Sequence, residues 1–297
     1  LVGSTANDYV GLNGVTILTN GNYIVKNNTW DNGAIVDAGA VTWGNGAAGC
    51  FGSINASNSL IGSATNDQVG NGGVIALTNG NYVVNSTNWD NGAITNAGAV
   101  TWGNGSTGSV GTLDITNSLV GTASLNPIGN GGTTALTNGN YVVRSATIRI
   151  AGINAAGAAT WCDGASGRVG TINSSNSLVG STFNDQIGNA GISPLANGNY
   201  VVRSSNWDNG AIGDAGAVTW CDGTKGRSGN ISSLNSLIGF TPSDQIGGGF
   251  VSFNNGYYII SSSLFDNGAI ANGGAYTIAP DNTPIIGEIN NCNSVLG

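Results

Sequence analysis

Histidine is absent from the 297-residue chain, and so is methionine. Without an imidazole the chain has no Ser-His-Asp or Cys-His catalytic arrangement, and it lacks the commonest metal ligand. The four cysteines include no C-x-x-C pair, which excludes the spacing of a classical zinc site. Acidic residues are scarce and spread out, which argues against paired catalytic carboxylates. We therefore expect a protein that is not an enzyme and has no cofactor.

Charged residues are also few, at 7% of the chain, against roughly 25% in ordinary soluble proteins. Only seven are Lys or Arg, and the net charge is −8. The chain therefore offers no basic surface to nucleic acid or to an anionic membrane. No apolar run reaches the roughly 18 residues of a membrane span. An apolar fraction of 40% with seven tryptophans in register nevertheless excludes disorder.

What the sequence does contain is a repeat of 59 residues. Its opening leucine recurs at Leu1, Leu60, Leu119, Leu178 and Leu237. The tyrosine of an NGNY motif recurs at Tyr23, Tyr82, Tyr141 and Tyr200, and shifts by one position to Tyr258 in the last copy. The five copies form one repeat-built domain, 1–297, whose repeats 1 to 5 are 1–59, 60–118, 119–177, 178–236 and 237–297. Each unit needs its neighbours to cover its apolar faces.

Each repeat predicts four short strands, described here for repeat 2. The first contains the opening leucine motif, the second is 74–77, the third begins at Tyr82 and the fourth contains 99–102. The pair Asn79-Gly80 predicts a hairpin with a type I′ turn between the second and third strands. A glycine-rich turn then leads to the next repeat. Helix patterns are absent, because glycine interrupts every window of about ten residues.

Four strands per repeat are typical of two all-β architectures. A β-propeller uses blades of roughly 40 to 60 residues, whereas a β-solenoid has shorter rungs and parallel strands. The antiparallel hairpin favours a propeller of five four-stranded blades of about 59 residues, with the β-solenoid as the alternative. We expect residues 1–6 to complete the last blade and close the ring. Residues 293–297 repeat the opening motif a sixth time, so we also expect a piece of a longer protein.

The cysteines leave the redox compartment open. Cys162 and Cys221 occupy the same repeat position. Equivalent positions on neighbouring repeats usually lie beyond the Cα separation of about 7 Å that a disulfide tolerates. Cys50 and Cys292 would join the first and last repeats if the ring closes. Both pairs stay open as alternatives to free thiols.

The motifs NGNYVV, WDNG and AGAVTW resemble the FG-GAP class of propeller blade, the type found in integrin α-subunits. Together with the opening leucine motif and GAVTWGNG, they are also similar to tandem arrays in very large secreted bacterial adhesin-like proteins. The resemblance covers all five repeats and implies a propeller in an extracellular or cell-surface setting. Many FG-GAP blades carry a D-x-D-x-D-G calcium loop. No repeat here has one, so calcium would need another kind of site.

Two recurring aspartates are candidate ligand residues. One set lies in the loop after the opening strand, at Asp8, Asp67, Asp185 and Asp244, with Asn126 in repeat 3. The other follows an aromatic residue, at Asp31, Asp90, Asp208 and Asp266, with Arg149 in repeat 3. Carboxylates with loop carbonyls could hold calcium or a sugar hydroxyl. The simpler interpretation is an Asx-turn that caps backbone N–H groups.

The tryptophans form two sets. Trp43, Trp102, Trp161 and Trp220 lie on a strand and are expected to pack between blades. Trp30, Trp89 and Trp207 border a loop, where an exposed ring would stack on a sugar. The candidate glycan-binding residues are therefore Trp30, Asp31, Trp89, Asp90, Trp207 and Asp208. Arg144 and Arg203 are expected to be solvated.

Three hypotheses follow. The first is a non-enzymatic extracellular repeat module for adhesion or scaffolding in a large bacterial surface protein, with a cell-surface glycan or protein as partner. The second is a multivalent, lectin-like glycan-binding propeller that uses the WDNG edge. The third is a calcium-stabilised spacer.

Overall fold

The computed structural model describes residues 1–253 and 255–297, and the chain forms two compact units. The first unit contains Leu1–Ala135, Gly139–Val143 and Cys162–Ile172. The second contains Leu136–Asn138, Arg144–Trp161 and Asn173–Gly297. Repeats 1 and 2 thus belong to the first unit, repeats 4 and 5 to the second, and repeat 3 contributes to both. Within the described ranges, no helix has the length and apolarity needed to cross a membrane.

Five kinds of strand recur along the chain. The first strands of the hairpins are β1 (Val15–Ile17), β5 (Gly73–Ala76), β10 (Thr133–Ala135), β15 (Gly191–Pro194) and β20 (Gly249–Ser252). The second strands of the hairpins are β2 (Tyr23–Asn27), β6 (Tyr82–Ser86), β11 (Tyr141–Ser145), β16 (Tyr200–Ser204) and β21 (Tyr257–Ser262). The AVTW-type strands are β3 (Ala40–Gly44), β7 (Ala99–Gly103), β12 (Ala158–Cys162), β17 (Ala217–Cys221) and β22 (Ala275–Pro280).

The remaining strands are short. The opening-motif strands are β4 (Ser59–Ile61), β9 (Ser118–Val120), β14 (Leu178–Val179), β19 (Leu237–Ile238) and β24 (Val295–Leu296). Two-residue strands near the end of repeats are β8 (Gly111–Thr112), β13 (Gly170–Thr171), β18 (Gly229–Asn230) and β23 (Gly287–Glu288). The second kind lies in the segment for which the sequence predicts only a turn, so that prediction is wrong. A strand of two residues carries no period-two pattern that could reveal it.

The sheets share one strand order. In the first unit the orders are β1-β2-β3-β4-β8 and β5-β6-β7-β9-β13, and β10 pairs with β11. In the second unit they are β15-β16-β17-β19-β23 and β20-β21-β22-β24, and β12 pairs with β14 and β14 with β18. The hairpin, the AVTW-type strand and the opening strand form an antiparallel meander. The two-residue strand is added parallel to the opening strand.

The opening strands of repeats 2 to 5 each lie in the sheet of the preceding repeat. Leu60 of repeat 2, for example, pairs with Val41 of repeat 1. The N-terminal residues do not complete the last sheet, which corrects the expectation above. Val2 instead forms a parallel bridge with Ser53. This bridge is equivalent to the parallel pairing of the later opening strands with two-residue strands, such as β4 with β8. In the last sheet the fourth position is filled by β24.

The predicted hairpin is confirmed, but its turn is of another type. Leu77 N–H donates to Asn81, and Gly80 N–H donates to Leu77, which encloses a three-residue loop. Gly80 has a φ of 91°, whereas Asn79 is not in the left-handed region. A type I′ turn needs positive φ at both central residues, so this is a type I turn followed by a glycine bulge. Asn79 Oδ1 accepts the Asn81 N–H of its own turn at 3.1 Å, and its Nδ2 donates outside the turn, to the Gly164 carbonyl.

Sheets of neighbouring repeats pack face to face around shared cores. In the first unit Leu18, Ile24 and Val41 of the first sheet pack in one cluster with Tyr82 and Val84 of the second. In the second unit Val201 and Val218 pack likewise with Tyr258 and Ile260. All five residues of β6 are buried because both faces of that sheet are covered. Burial of such side chains stabilises the fold by roughly 1.5–3 kcal/mol each.

One backbone carbonyl of repeat 2 receives three hydrogen bonds from repeat 1. The carbonyl oxygen of Gly105 accepts hydrogen bonds from Asn20 Nδ2 at 2.8 Å, Asn22 Nδ2 at 2.9 Å and Trp43 Nε1 at 2.9 Å. We refer to this contact as the carbonyl clasp. The Gly105 N–H donates in turn to Asn81 Oδ1 of its own repeat at 3.0 Å. Gly105 is therefore fixed to its own repeat through its N–H and to repeat 1 through its carbonyl.

The carbonyl clasp recurs at each later step. In the first unit the acceptor is the carbonyl of Gly164, and the donors are Asn79, Asn81 and Trp102. In the second unit the acceptors are the carbonyls of Gly223, with Asn138 and Trp161, and of Asp281, with Asn197, Asn199 and Trp220. The strand tryptophans thus contact the following repeat, as the sequence predicts.

Replacing the clasp glycine tests how much the contact contributes. A Cβ at position 105 would overlap the carbonyl oxygen of Gly80. We expect Gly105→Ala to lower the free energy of unfolding by about 3 kcal/mol, through overpacking and distorted hydrogen bonds. Urea denaturation followed by tryptophan fluorescence measures the loss.

Gly213→Ala is the matched control. Gly213, like Gly105, lies outside the positive-φ region, and the nearest atom to a Cβ there is Asp208 Oδ1 at 3.9 Å. This substitution should change the free energy of unfolding by about 1 kcal/mol or less. Equal losses in the two variants would show that the overlap at the clasp costs nothing.

Candidate functional site

The aspartate of the loop after the opening strand is an acceptor of backbone hydrogen bonds. In repeat 4, Asp185 Oδ2 accepts from Ser181 N at 2.6 Å and Thr182 N at 2.8 Å. Its Oδ1 accepts from the Thr182 hydroxyl at 2.5 Å and from Asp208 N at 3.0 Å. Asp185 is fully buried. The carboxylate therefore fastens the loop to the WDNG segment of the same repeat.

The same arrangement occurs in the other repeats that carry this aspartate. Asp8, Asp67 and Asp244 each accept the N–H of the second-set aspartate, at 3.1, 2.9 and 3.0 Å respectively. Each also accepts two N–H groups from its own loop. This supports the interpretation as a backbone cap.

The second aspartate set closes a turn within the WDNG segment. Asp90 Oδ1 accepts Asn96 N at 2.7 Å, and Asp208 Oδ1 accepts Asp214 N at 2.8 Å. Asp31 repeats the contact with Asp37 N at 2.8 Å. These carboxylates are half-buried, so part of each remains accessible to solvent.

The tryptophans of the WDNG segment do not reach solvent. Trp30, Trp89 and Trp207 are 2%, 3% and 4% exposed. The sequence places them beside a loop, but the loop folds back, as when Gly98 N–H donates to the Trp89 carbonyl at 3.0 Å. Their indole N–H groups have no hydrogen-bond partner among the described residues. Buried rings cannot stack on a sugar, so the six candidate residues are not brought together as an open glycan edge.

The equivalent positions confirm that this is a core site. Ile148 in repeat 3 is 3% exposed, and Phe265 in repeat 5 is buried in the core of the second unit. Neither side chain can donate a hydrogen bond. The position therefore requires an apolar group and not an indole.

Five segments of the chain match one family model, described as a repeat of unknown function (DUF5650), at residues 17–71, 76–130, 135–189, 194–248 and 252–297. The chain belongs to the DUF5650 repeat family. No curated protein matches it. The first family segment, 17–71, runs from the hairpin through β3 and β4 to the aspartate loop of the next repeat. A repeat counted as the family model counts it, from residue 17, therefore contains nearly all of one meander. A repeat counted from Leu1 places the last strand of that meander in the next repeat.

Among the described residues of the DUF5650 repeats, no three His, Cys, Asp or Glu side chains group together as they would around a metal ion. None of the four cysteines forms a disulfide. Cys162 and Cys221 are buried, and burial raises the pKa of each thiol to about 12, so neither is a nucleophile near neutral pH.

Arg144 and Arg203 are half-buried, which corrects the expectation that they are solvated. Arg203 Nη1 donates to the carbonyls of Gly247 and Gly248 at 3.2 and 3.3 Å. Arg144 makes the equivalent contacts one repeat earlier. Burial lowers the pKa of both guanidinium groups, and proximity to Arg144 adds to the effect on Arg203. The two side chains hold the following repeat in place.

Asp67 lacks a hydroxyl donor that the other loop aspartates have. Burial raises the pKa of Asp67, and the N–H donors of Asp90, Ala64 and Ser63 offset only part of the effect. For Asp8 burial also raises the pKa, but the Thr5 hydroxyl and the backbone donors outweigh it and the net pKa is lowered. Repeat 2 has Ala64 where repeat 1 has Thr5, so the hydroxyl is missing.

Restoring that hydroxyl should stabilise the protein. Because its folded-state pKa is raised, Asp67 favours folding at low pH, and this contribution is lost as pH rises through the raised pKa. We expect Ala64→Thr to lower that pKa and to add about 1 kcal/mol to the free energy of unfolding at pH 7. At pH 3 the gain should be smaller, because the carboxyl is largely protonated. Urea denaturation at both pH values measures it.

Ala64→Val, which adds similar volume without a hydroxyl, is the control. A gain of equal size in the valine variant, or one independent of pH, would contradict the assignment to the hydroxyl–carboxylate bond.

Proposed function

We propose that this chain is a non-enzymatic repeat module that serves adhesion or scaffolding outside the cell, in a large bacterial surface protein. The observation that carries the proposal is the carbonyl clasp, which fastens each repeat to the next by the same donors. Such nearest-neighbour fastening suits a body whose task is to hold a shape. The resemblance to arrays in secreted adhesin-like proteins supports the extracellular setting.

The state of the polar side chains supports the absence of catalysis. The loop aspartates have their oxygens occupied by N–H and hydroxyl donors, and the buried thiols are protonated. A general acid, base or nucleophile must instead reach a substrate. We therefore infer that the recurring loop aspartates and the buried cysteines stabilise the fold.

We propose further that each sheet is a propeller-type blade. The support is the up-and-down order of the meander, for example β1-β2-β3-β4. The β-solenoid alternative is supported by the parallel pairs β4–β8 and β9–β13. In either case the N-terminal strand does not supply closure, because Val2 pairs with Ser53.

Small-angle X-ray scattering of the purified chain separates the two architectures. Propeller blades in a closed ring, in which the exposed face of the last sheet would have to be covered by the first sheet, should give a disc with a short maximum dimension. A rod-shaped envelope would contradict the ring and support the solenoid.

Glycan binding tests the rival lectin function. The half-buried Asp31, Asp90 and Asp208 are the parts of the WDNG edge that a sugar could reach. We expect no binding above background on a glycan array, because the indoles that would stack on sugar rings are buried. The test variant is Asp31→Asn/Asp90→Asn/Asp208→Asn, which keeps an amide oxygen as the backbone acceptor.

Asp114→Asn is the matched control, since Asp114 is an exposed aspartate that also accepts N–H groups in a turn. Binding lost in the triple variant and kept in the control would establish the lectin function in place of scaffolding. Binding kept in both would place a glycan site elsewhere and would equally contradict the expectation.

A further inference from the structure

The last sheet has one face that no described residue covers. Along β22 burial alternates, with Ala275, Thr277 and Ala279 inside and Tyr276 and Ile278 outside. The register places Val251, Ile259 and Ile278 side by side on this face, and Tyr276 beside Val295. Tyr276 and Ile278 are 59% and 58% exposed. We call this surface the outer face. An apolar patch of this kind marks an interaction site.

The outer face differs from the faces that hold a following repeat. Tyr276, Ile278 and Tyr257 stand where repeat 4 has Val218, Trp220 and Asn199. Trp220 and Asn199 donate to the Asp281 carbonyl, whereas isoleucine has no donor. Of the three clasp donors only the first asparagine keeps its equivalent, as Asn255. Ser261 likewise replaces Arg203, whose guanidinium group donates to two backbone carbonyls of the following repeat.

Tyrosine at position 276 also obstructs a repeat docked in the usual way. Inside the chain the valine at this position lies against a glycine of the next repeat. Its Cγ2 is only 2.5 Å from the site of a Cβ on Gly247 for Val218, and 2.7 Å from that on Gly70 for Val41. There is no room for a phenol ring in that contact. A repeat in the standard orientation, including repeat 1 of another copy with its equivalent Gly11, therefore does not fit.

The outer face has both a projecting side chain and grooves, so it can pair with a second copy of itself. Tyr276 projects between two grooves, one of about 300 Å³ beside Ser261 and Gly274, the other of about 240 Å³ beside Ile278 and Cys292. The four strands of the outer face contain no charged residue. Two copies of a chain with net charge −8 can therefore meet here without placing like charges opposite each other.

We propose that the outer face binds the outer face of a second copy of this chain about a two-fold axis. In this arrangement the Tyr276 ring of each copy enters a groove of the other. Contacts of this isologous kind close on themselves and give a dimer without further growth. Tyrosine is a common anchor in such interfaces, because it buries a large rigid surface.

Sedimentation velocity of the purified 297-residue chain over a range of concentrations tests the proposal. We expect the wild-type chain to sediment as a dimer. The double variant Tyr276→Lys/Ile278→Lys should weaken association by at least tenfold, because it places ammonium groups in both copies of the interface. Both side chains are exposed in the single chain, so the thermal midpoint of the variant at monomeric concentration should be close to that of the wild type.

The matched control is Val15→Lys/Ile17→Lys, on exposed positions of the first sheet at 57% and 76%. It should leave the dimer intact. A monomeric wild type at all concentrations would overturn the proposal, as would a dimer unaffected by the Tyr276→Lys/Ile278→Lys change. Association lost in the control, or growth beyond the dimer with concentration, would show head-to-tail stacking instead and would also overturn it.

Discussion

The structure depends on a carbonyl oxygen that receives three donors from another repeat. A backbone carbonyl has two lone pairs, so three N–H groups converging on the Gly105 oxygen leave no capacity for water. Only 7% of the residues in the chain are charged, so ion pairs cannot fix the orientation of one repeat against the next. Neutral amide and indole donors, directed at one acceptor, provide the orientation that charges provide elsewhere. The surrounding apolar contacts are non-directional and would tolerate sliding of one sheet over the next.

Glycine makes this arrangement possible in two ways. Gly105 brings its peptide so close to Gly80 that a side chain would overlap, and Gly80 supplies the positive φ that ends the hairpin loop. The loop in turn holds Asn79 where its amide reaches the Gly164 carbonyl at 2.8 Å. The high glycine content, which could suggest disorder, therefore marks close backbone approach. The cost in conformational entropy is offset by hydrogen bonds between repeats.

Local patterns in the sequence predict the strands and the hairpin well. The third strand begins at Tyr82 as predicted, and the hairpin forms, because both follow from neighbouring residues. The assignment of strands to sheets could not be predicted, since the opening motif can pair equally within its own repeat or with the preceding one. The carbonyl clasp could not be predicted from the sequence either, because Trp43 and its acceptor Gly105 are 62 residues apart. The sequence left the exposure of Trp89 open for a similar reason: a residue beside a loop is exposed or covered according to how that loop returns.

Comparison among the five repeats shows which contacts the fold can lose. Repeat 3 has Asn126, Ile148 and Arg149 in place of the loop aspartate, the tryptophan and the second aspartate, yet its hairpin and its AVTW-type strand form in the same register positions. It keeps Asn138 and Trp161, which donate to Gly223. The aspartate caps are therefore local reinforcements that one repeat can forgo. In the last repeat Tyr257 and Ile278 replace two of the three clasp donors, and Asn255 keeps the third position. A repeat that loses two clasp donors and gains exposed apolar side chains differs in its outward contacts from the four before it.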